Sequence, residues 1–284
     1  MITLNKTNFS KYFIYFYLIL LLFANRSFAE ENNSLLWKTS AGNSYSHRFF
    51  SGEQINKDNI KNLTKLWTFN SGSTAALQTV QSPPVFIGNQ LLVVTLKGDL
   101  ISLSPINGET LWKKKLATPI GKRGFTYHES EDSELEGIYV ASGTNIVQLN
   151  KNGEIKKKFL TGLSLVQPFL DEKNLYVATL RNGVKAFDLK TKKEIWSTSL
   201  KKNKVNARVW SGFSFDKETK SLFVVTSNPG GIIGEDRSGD DFSASLISID
   251  SDSGKIKWQY KHVVNDLWDF DLISNPIIVK KLKV

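Results

Sequence analysis

The strongest constraint on this chain is a unit that recurs four times, built of short strands separated by glycine turns. Leu91–Thr95 leads through Lys97-Gly98 to Leu100–Leu103, then to Asn107-Gly108 and Trp112. Ile138–Ser142 leads to Ile146–Leu149 and Asn152-Gly153. Leu175–Thr179 leads through Asn182-Gly183 to Val184–Asp188 and Trp196. Leu222–Thr226 leads, after an insertion, to Leu246–Asp250, Ser253-Gly254 and Trp258. Runs of β-branched and aromatic residues form strands, and the glycine dipeptides close tight turns between them. The units begin at 91, 138, 175 and 222, so they are spaced 47, 37 and 47 residues apart, the size of a propeller blade. No long apolar stripe of helical period separates the strands, which argues against alternating βα architecture. Trp closes three of the four units. A large flat ring at a fixed blade position fills the wedge between neighbouring blades without doing any chemistry.

The N-terminus carries an address. Lys6 and Lys11 precede an uncharged run, Tyr12–Ala24, and Ser27-Phe28-Ala29 places small residues before Glu30. This is the order of a secretory signal, and the run is shorter than the ~20 residues of a spanning helix. The expected organisation is a signal peptide over 1–29 and a single propeller domain over 30–284, located in the periplasm. An uncleaved N-terminal anchor is the alternative and leaves the domain on the same side of the membrane. The absence of cysteine excludes disulfides, thiolate metal sites, a thiol nucleophile and a lipidated N-terminal cysteine. The net charge is +10, but the lysines are scattered, with no run longer than Lys113–Lys115 or Lys156–Lys158. That pattern describes a solvated surface and not a nucleic-acid partner.

The repeat resembles the blade of pyrroloquinoline quinone (PQQ) proteins, and four longer stretches sharpen the resemblance. Trp37, Gly42, Asn43, Arg48 and Phe49 precede Gln54-Ile55-Asn56, Asn59-Ile60 and Leu63, similar to the N-terminal pattern of quinoprotein dehydrogenases. Arg123–Glu129 is similar to a stretch of the glucose-dehydrogenase branch. Trp210, Phe215-Asp216, Leu222–Val225 and Asn228-Pro229-Gly230 follow the family's spacing, with Arg237, Gly239 and Asp240 beyond. Asn265–Asp271 followed by Asn275-Pro276 is similar to the family's catalytic blade.

The resemblance implies an all-β propeller of four-stranded blades, eight in the family, of which this chain holds an incomplete arc of about five. It implies PQQ as cofactor beside Ca²⁺ or a lanthanide, with Asp269 as the catalytic base. Trp210 would stack on the cofactor, and Arg123 and His128 would lie near its carboxylates and ring. Asn228, Asp269 and Asp271 would ligate the metal. Asp271, two residues beyond Asp269, falls on the same face of a strand. The implied function is a periplasmic quinoprotein dehydrogenase, or its N-terminal half, oxidising a sugar or alcohol by hydride transfer to PQQ. The electron acceptor would be a quinone or cytochrome c, and a second chain would complete the propeller if the chain assembles. The alternative is a non-catalytic PQQ-repeat propeller acting as a periplasmic binding or assembly scaffold. Three departures bear on this choice. The family's acidic metal ligand has no counterpart in Thr179–Gly183, where Asn182 is a weak substitute. The adjacent-cysteine disulfide of the methanol branch is absent. The chain stops at Val284 where the family continues, so it is expected not to turn over substrate alone.

Overall fold

The computed structural model describes residues 37–72, 81–181, 183–202, 205–228, 241–264 and 266–280. Their framework is four antiparallel four-stranded sheets. The first holds β1 (Val85–Phe86), β2 (Leu91–Val94), β3 (Asp99–Leu103) and β4 (Thr110–Lys115). The second holds β5 (Thr126–His128), β6 (Gly137–Ser142), β7 (Asn145–Leu149) and β8 (Ile155–Leu160). The third holds β9 (Phe169–Leu170), β10 (Asn174–Thr179), β11 (Gly183–Asp188) and β12 (Glu194–Thr198). A small hairpin, β13 (Lys201–Lys202) and β14 (Val205–Asn206), precedes the fourth sheet of β15 (Ser214–Asp216), β16 (Ser221–Val225), β17 (Ser245–Asp250) and β18 (Ile256–Lys261). Strands pair in chain order, so every sheet is a meander, the expected blade. The repeat units supply the second to fourth strands. The opening strands are two or three residues long, too short to stand out as an apolar run. Of the arc of about five blades expected, the described residues form four four-stranded sheets, and beyond β18 they form no strand. The expected signal segment, 1–29, lies outside the described residues, among which no helix is long and apolar enough to cross a membrane.

The chain divides into two compact units, Met1–Leu36 with Ser51–Asn62, and Trp37–Phe50 with Leu63–Val284. In the first, a 3₁₀ turn at Ile60–Asn62 follows a clasp in which Asn59 Oδ1 accepts from Asn56 N at 2.8 Å. The blades belong to the second.

Both faces of β6 and β10 are buried, and that explains their unbroken apolar runs. Ile138 and Val140 of β6 pack with Val85, Leu92 and Leu100 of the first blade. Their alternates Tyr139 and Ala141 face the other way, toward Leu175 and Val177 of the third. In β10 the pattern repeats, with Tyr176 and Ala178 packing on Leu222 and Val224 of the fourth. A period of two thus sends successive residues into successive cores.

A second contact ties the outer strands. The Trp67 ring lies over Gly108, Trp112 over Gly153 and Trp196 over Gly254, so close that a Cβ there would meet the ring at 2.6 Å. Each indole Nε1–H donates to a carbonyl of the same turn: Pro105 at 3.0 Å, Lys151 at 2.8 Å and Ser251 at 2.9 Å. All three glycines have φ between 72° and 80°, where a side chain is strained. The exception is informative. Blade two has Lys157 at the Trp position, and the turn it would cover in blade three has Lys192, also left-handed at φ 63°, in place of glycine. Indole and glycine are lost together.

The segment Trp37–Arg48 stitches the inner strands. Trp37 pairs with Phe86, Tyr127 N donates to Lys38 O at 2.9 Å, and Phe215 N donates to Ser44 O at 2.8 Å. Ile278 N donates to Tyr45 O at 3.1 Å, bringing the last described segment to the same strap.

Gly153→Ala is expected to lower stability by about 1–3 kcal/mol through backbone strain and the clash with Trp112. Lys192→Gly should stay within about 1 kcal/mol of wild type, because no ring covers that turn. Urea melts of the two variants check this. At the end of β5, His128 is half-buried, its Nε2 has no hydrogen-bond partner, and its ring meets the edge of Tyr139 at 6.2 Å. Burial holds its imidazole below the usual histidine range, against the pull of Asp171, Glu129 and Glu136. The unfolded chain therefore binds the proton more readily. Stability is full above the ordinary value of about 6.5 and is lost as pH falls below it. Thermal melts between pH 7 and 5 should show this slope, and His128→Gln should flatten it.

Candidate active site

Five of the sequence-predicted residues gather at the ends of blades two and four. Arg123 precedes β5 and is fixed by its N–H to Leu165 O at 3.1 Å and by a parallel bridge to Val166. Trp210 precedes β15 and is fixed by its N–H to Val225 O at 3.2 Å, at the end of β16. The Arg123 guanidinium lies on the Trp210 ring, 3.9 Å from its centroid. Stacking of this planar cation on an indole is favourable. Burial draws Arg123 below the usual arginine range, and the Asp271 carboxylate works against that shift.

Asn228, just past β16, links the other members. Its backbone N–H donates to Asp271 Oδ1 at 2.7 Å, and its side-chain amide donates to Asp269 Oδ1. The expectation that a strand puts Asp269 and Asp271 on one face is corrected here. The segment is a turn, with Asp269 at φ 69°, a left-handed conformation that Asp tolerates better than most residues. The two carboxylates meet because both reach Asn228, not because of strand periodicity.

Asp266 builds that turn, a role the sequence reading missed. It is 1% exposed, and its Oδ1 accepts from the N–H groups of Trp268, Asp269 and Phe270 at 3.1, 2.8 and 3.1 Å. An Asp followed by a short polar–aromatic turn is the available signal, since Asx side chains close turns on the N–H groups that follow them. Asn275 is a second omission. It accepts from Gly212 N at 3.0 Å and donates to Phe213 O at 3.3 Å, seating residues 271–276 against the inner edge of blade four.

Beside Trp210 opens a cleft of about 140 Å³, lined by Arg48, Gln81, Arg123, Trp210, Ile273 and Asn275 among others. Arg48, seen in the sequence only as part of a family pattern, thus faces the same space as Arg123. His128 is not brought to this group; its neighbours are Lys38, Glu129, Glu136, Tyr139 and Asp171. Asn182 lies outside the described residues. No cluster of three or more His, Asp or Glu able to hold a metal occurs among the described residues. What the site offers is two carboxylates and one amide, hard donors of the kind Ca²⁺ takes, next to a flat ring carrying a cation.

A family model described as the β-propeller domain of PQQ glucose/ethanol/alcohol dehydrogenases matches residues 37–162 and 198–283. A quinate/shikimate dehydrogenase (quinone) of Acinetobacter baylyi is 22% identical over 317 residues, covering 86% of this chain and 39% of that protein. A lanthanide-dependent methanol dehydrogenase of Methylorubrum extorquens is 25% identical over 287 residues, covering 81% of this chain and 47% of that protein. Among solved structures, a europium-containing methanol dehydrogenase superposes with a TM-score of 0.68 at 18% identity, over 84% of this chain and 51% of that one. The chain spans about half or less of the length of these relatives. With four four-stranded meander blades, the repeat read from the sequence and a family match over most of its length, the chain belongs to the PQQ β-propeller family of glucose, ethanol and alcohol dehydrogenases.

Proposed function

We propose that this chain contributes the propeller half-site of a periplasmic quinoprotein dehydrogenase that oxidises a sugar or other alcohol. The observation that carries the reading is the meeting of Asn228, Asp269 and Asp271 beside the Arg123–Trp210 stack. The donor set fits the groups the family implies. Two carboxylates and an amide oxygen suit a hard Ca²⁺ or lanthanide ion, though with one carboxylate fewer than the family's set. The Trp210 face already accommodates a flat delocalised group, the Arg123 guanidinium, and is therefore suited to a planar ring. Asn228, Asp269 and Asp271 would hold the cation, Trp210 the ring, and Arg123 its carboxylates. Bound PQQ would supply a two-electron acceptor for the hydride of the alcohol carbon, and the cation would supply a Lewis acid. Asp269 takes the hydroxyl proton on its carboxylate. Its partner Asn228 and the turn closed by Asp266 orient it for that transfer. A quinone or cytochrome c would then accept the electrons.

The test begins with PQQ retention by the purified protein in Ca²⁺ or La³⁺, followed by dye-linked oxidation of sugars and alcohols. Retention is expected to need the cation and to fail in Trp210→Ala. Where turnover is measured, Asp269→Asn keeps the left-handed turn and an oxygen donor but removes the base, and should lower kcat by about 100-fold or more. Absence of any PQQ retention would favour the non-catalytic scaffold instead. Asp266→Ala frees three N–H groups and should lower kcat by about tenfold or more with little change in KM, because the base loses its position.

A further inference from the structure

We infer that Gln167 is a positioning residue of the site, a buried carboxamide that sets the Arg123–Trp210 stack and the direction of the Ser40 hydroxyl beside it. The inference rests on the proposed function for the identity of the site, and it adds a residue to it. Gln167 is 6% exposed and stands in the link that leads into β9, directly after Val166, which bridges to Arg123. A Cβ built on Gly124 would meet Gln167 Cβ at 3.1 Å and its Oε1 at 3.2 Å, and one built on Gly212 would meet the same Cβ at 3.5 Å. Gly124 follows Arg123, and Gly212 is two residues past Trp210. The backbone beside each member of the stack therefore rests on one side chain. A close-packed interior passes a change of shape on to its neighbours, so Gln167 sets where the guanidinium and the indole meet.

The hydrogen bonds of Gln167 run in one direction only. A carbonyl can only accept, so Thr126 Oγ1 donates to Pro168 O, at 2.6 Å. With its proton used there, Thr126 Oγ1 accepts from Gln167 Nε2 at 3.0 Å. The amide oxygen is thereby turned toward Ser40, where Oε1 accepts from the backbone N–H at 3.2 Å and from the hydroxyl. Ser40 Oγ has given its one proton to Gln167, so toward the cleft that it lines it offers lone pairs alone. A ligand group facing it is matched when it carries an N–H or O–H and mismatched when it is a second acceptor. One carboxamide thus joins the strap, blade two and the entry to blade three. An apolar side chain of similar volume would fill the gap, but it would leave the Ser40 N–H without this acceptor and the hydroxyl free to turn. Gln148 gives the contrast. It is fully buried, and its Nε2 donates to Glu134 O at 2.9 Å and Glu136 O at 3.1 Å, which ties down the loop before β6 and reaches no residue of the site.

The test reads the whole chain, ¹⁵N-labelled and free of ligand, at the Trp210 indole N–H resonance, identified as the cross-peak missing from Trp210→Phe. Gln167→Met keeps length and volume without the amide and is expected to move that resonance. Thr126→Val, which removes the acceptor that orients the amide, should move it too. Thr126→Ser restores the hydroxyl and should return the resonance to its wild-type position. Gln148→Met loses a carboxamide of similar burial, and should lower the melting temperature while leaving the resonance in place. In dialysis against PQQ with Ca²⁺, affinity should fall about tenfold in Gln167→Met and Thr126→Val, and stay within about twofold of wild type in Thr126→Ser and Gln148→Met. If Gln167→Met does not fold, Thr126→Val set against Thr126→Ser decides alone. A resonance that stays in place in Gln167→Met and Thr126→Val, or moves equally in Gln148→Met, overturns the inference. Shifts without loss of affinity, in a wild type that binds PQQ, overturn it as well, because the residue would then serve structure alone. Expected shifts in a wild type that binds no PQQ uphold the positioning role and count against the proposed function instead.

Discussion

Blade-to-blade packing in this protein turns on an indole laid over a glycine. A blade cannot stand alone, because both its faces are apolar; it needs a neighbour on each side. The inner strands meet through mixed aliphatic and aromatic cores, which are tolerant of exchange. The outer contact is not tolerant. Trp112 rests on Gly153 and donates to Lys151 O, so one residue supplies apolar area, close fit and a directed bond. The turn must be left-handed and lack a Cβ, which only glycine satisfies without strain. Where blade two offers Lys157 instead of Trp, blade three is released from that demand and carries Lys192. The Tyr139–Phe159 pair, 6.3 Å apart, belongs to the core that joins these two blades.

That arrangement determines where chemistry can sit. Strand interiors are committed to the cores, so polar side chains with freedom to converge lie at strand ends and connections. Arg123 and Trp210 each stand just before an inner strand, and Asn228 just after a second strand. The rigid blades bring the ends together, and the Trp37–Arg48 strap bonds to blades one, two and four at once. Displacing one blade would therefore move the strap and the site with it.

Much of the fold was legible because its signals are local. Alternation, glycine turns and a fixed Trp offset recur at blade spacing, and each maps onto a strand, a turn or a stacked ring. The opening strands were not legible, because two or three residues such as Phe169–Leu170 show no period. In the site, Trp210, Arg123, Asn228, Asp269 and Asp271 were found through family pattern, and the structure places them together. The physical reason given for the Asp pair was wrong: a strand was assumed where Asp266 closes a turn. Asp266, Asn275 and Arg48 escaped because their roles depend on which backbone groups or clefts they reach, and sequence spacing does not report that. His128 is the last residue of β5, five residues on from Arg123, which precedes the strand, and a strand carries its two ends apart.

The turn around Asp269 also shows which interaction organises the cluster. Carboxylates that share one partner carry like charge, and like charges near one another repel. Asp269 and Asp271 are nevertheless both drawn to Asn228, one by its side-chain amide and one by its backbone N–H. Neutral donors lessen that repulsion but do not cancel the charge. The Arg123 guanidinium, held on Trp210, is the cation that acts on Asp271. Asp266 adds a third carboxylate to the same turn, but its Oδ1 is consumed by three backbone N–H groups, so it fixes geometry and leaves the charge problem to the others. A pair of acids oriented in advance by an amide, with a single arginine near one of them, is an arrangement in which a bound cation gains more than any neutral ligand would.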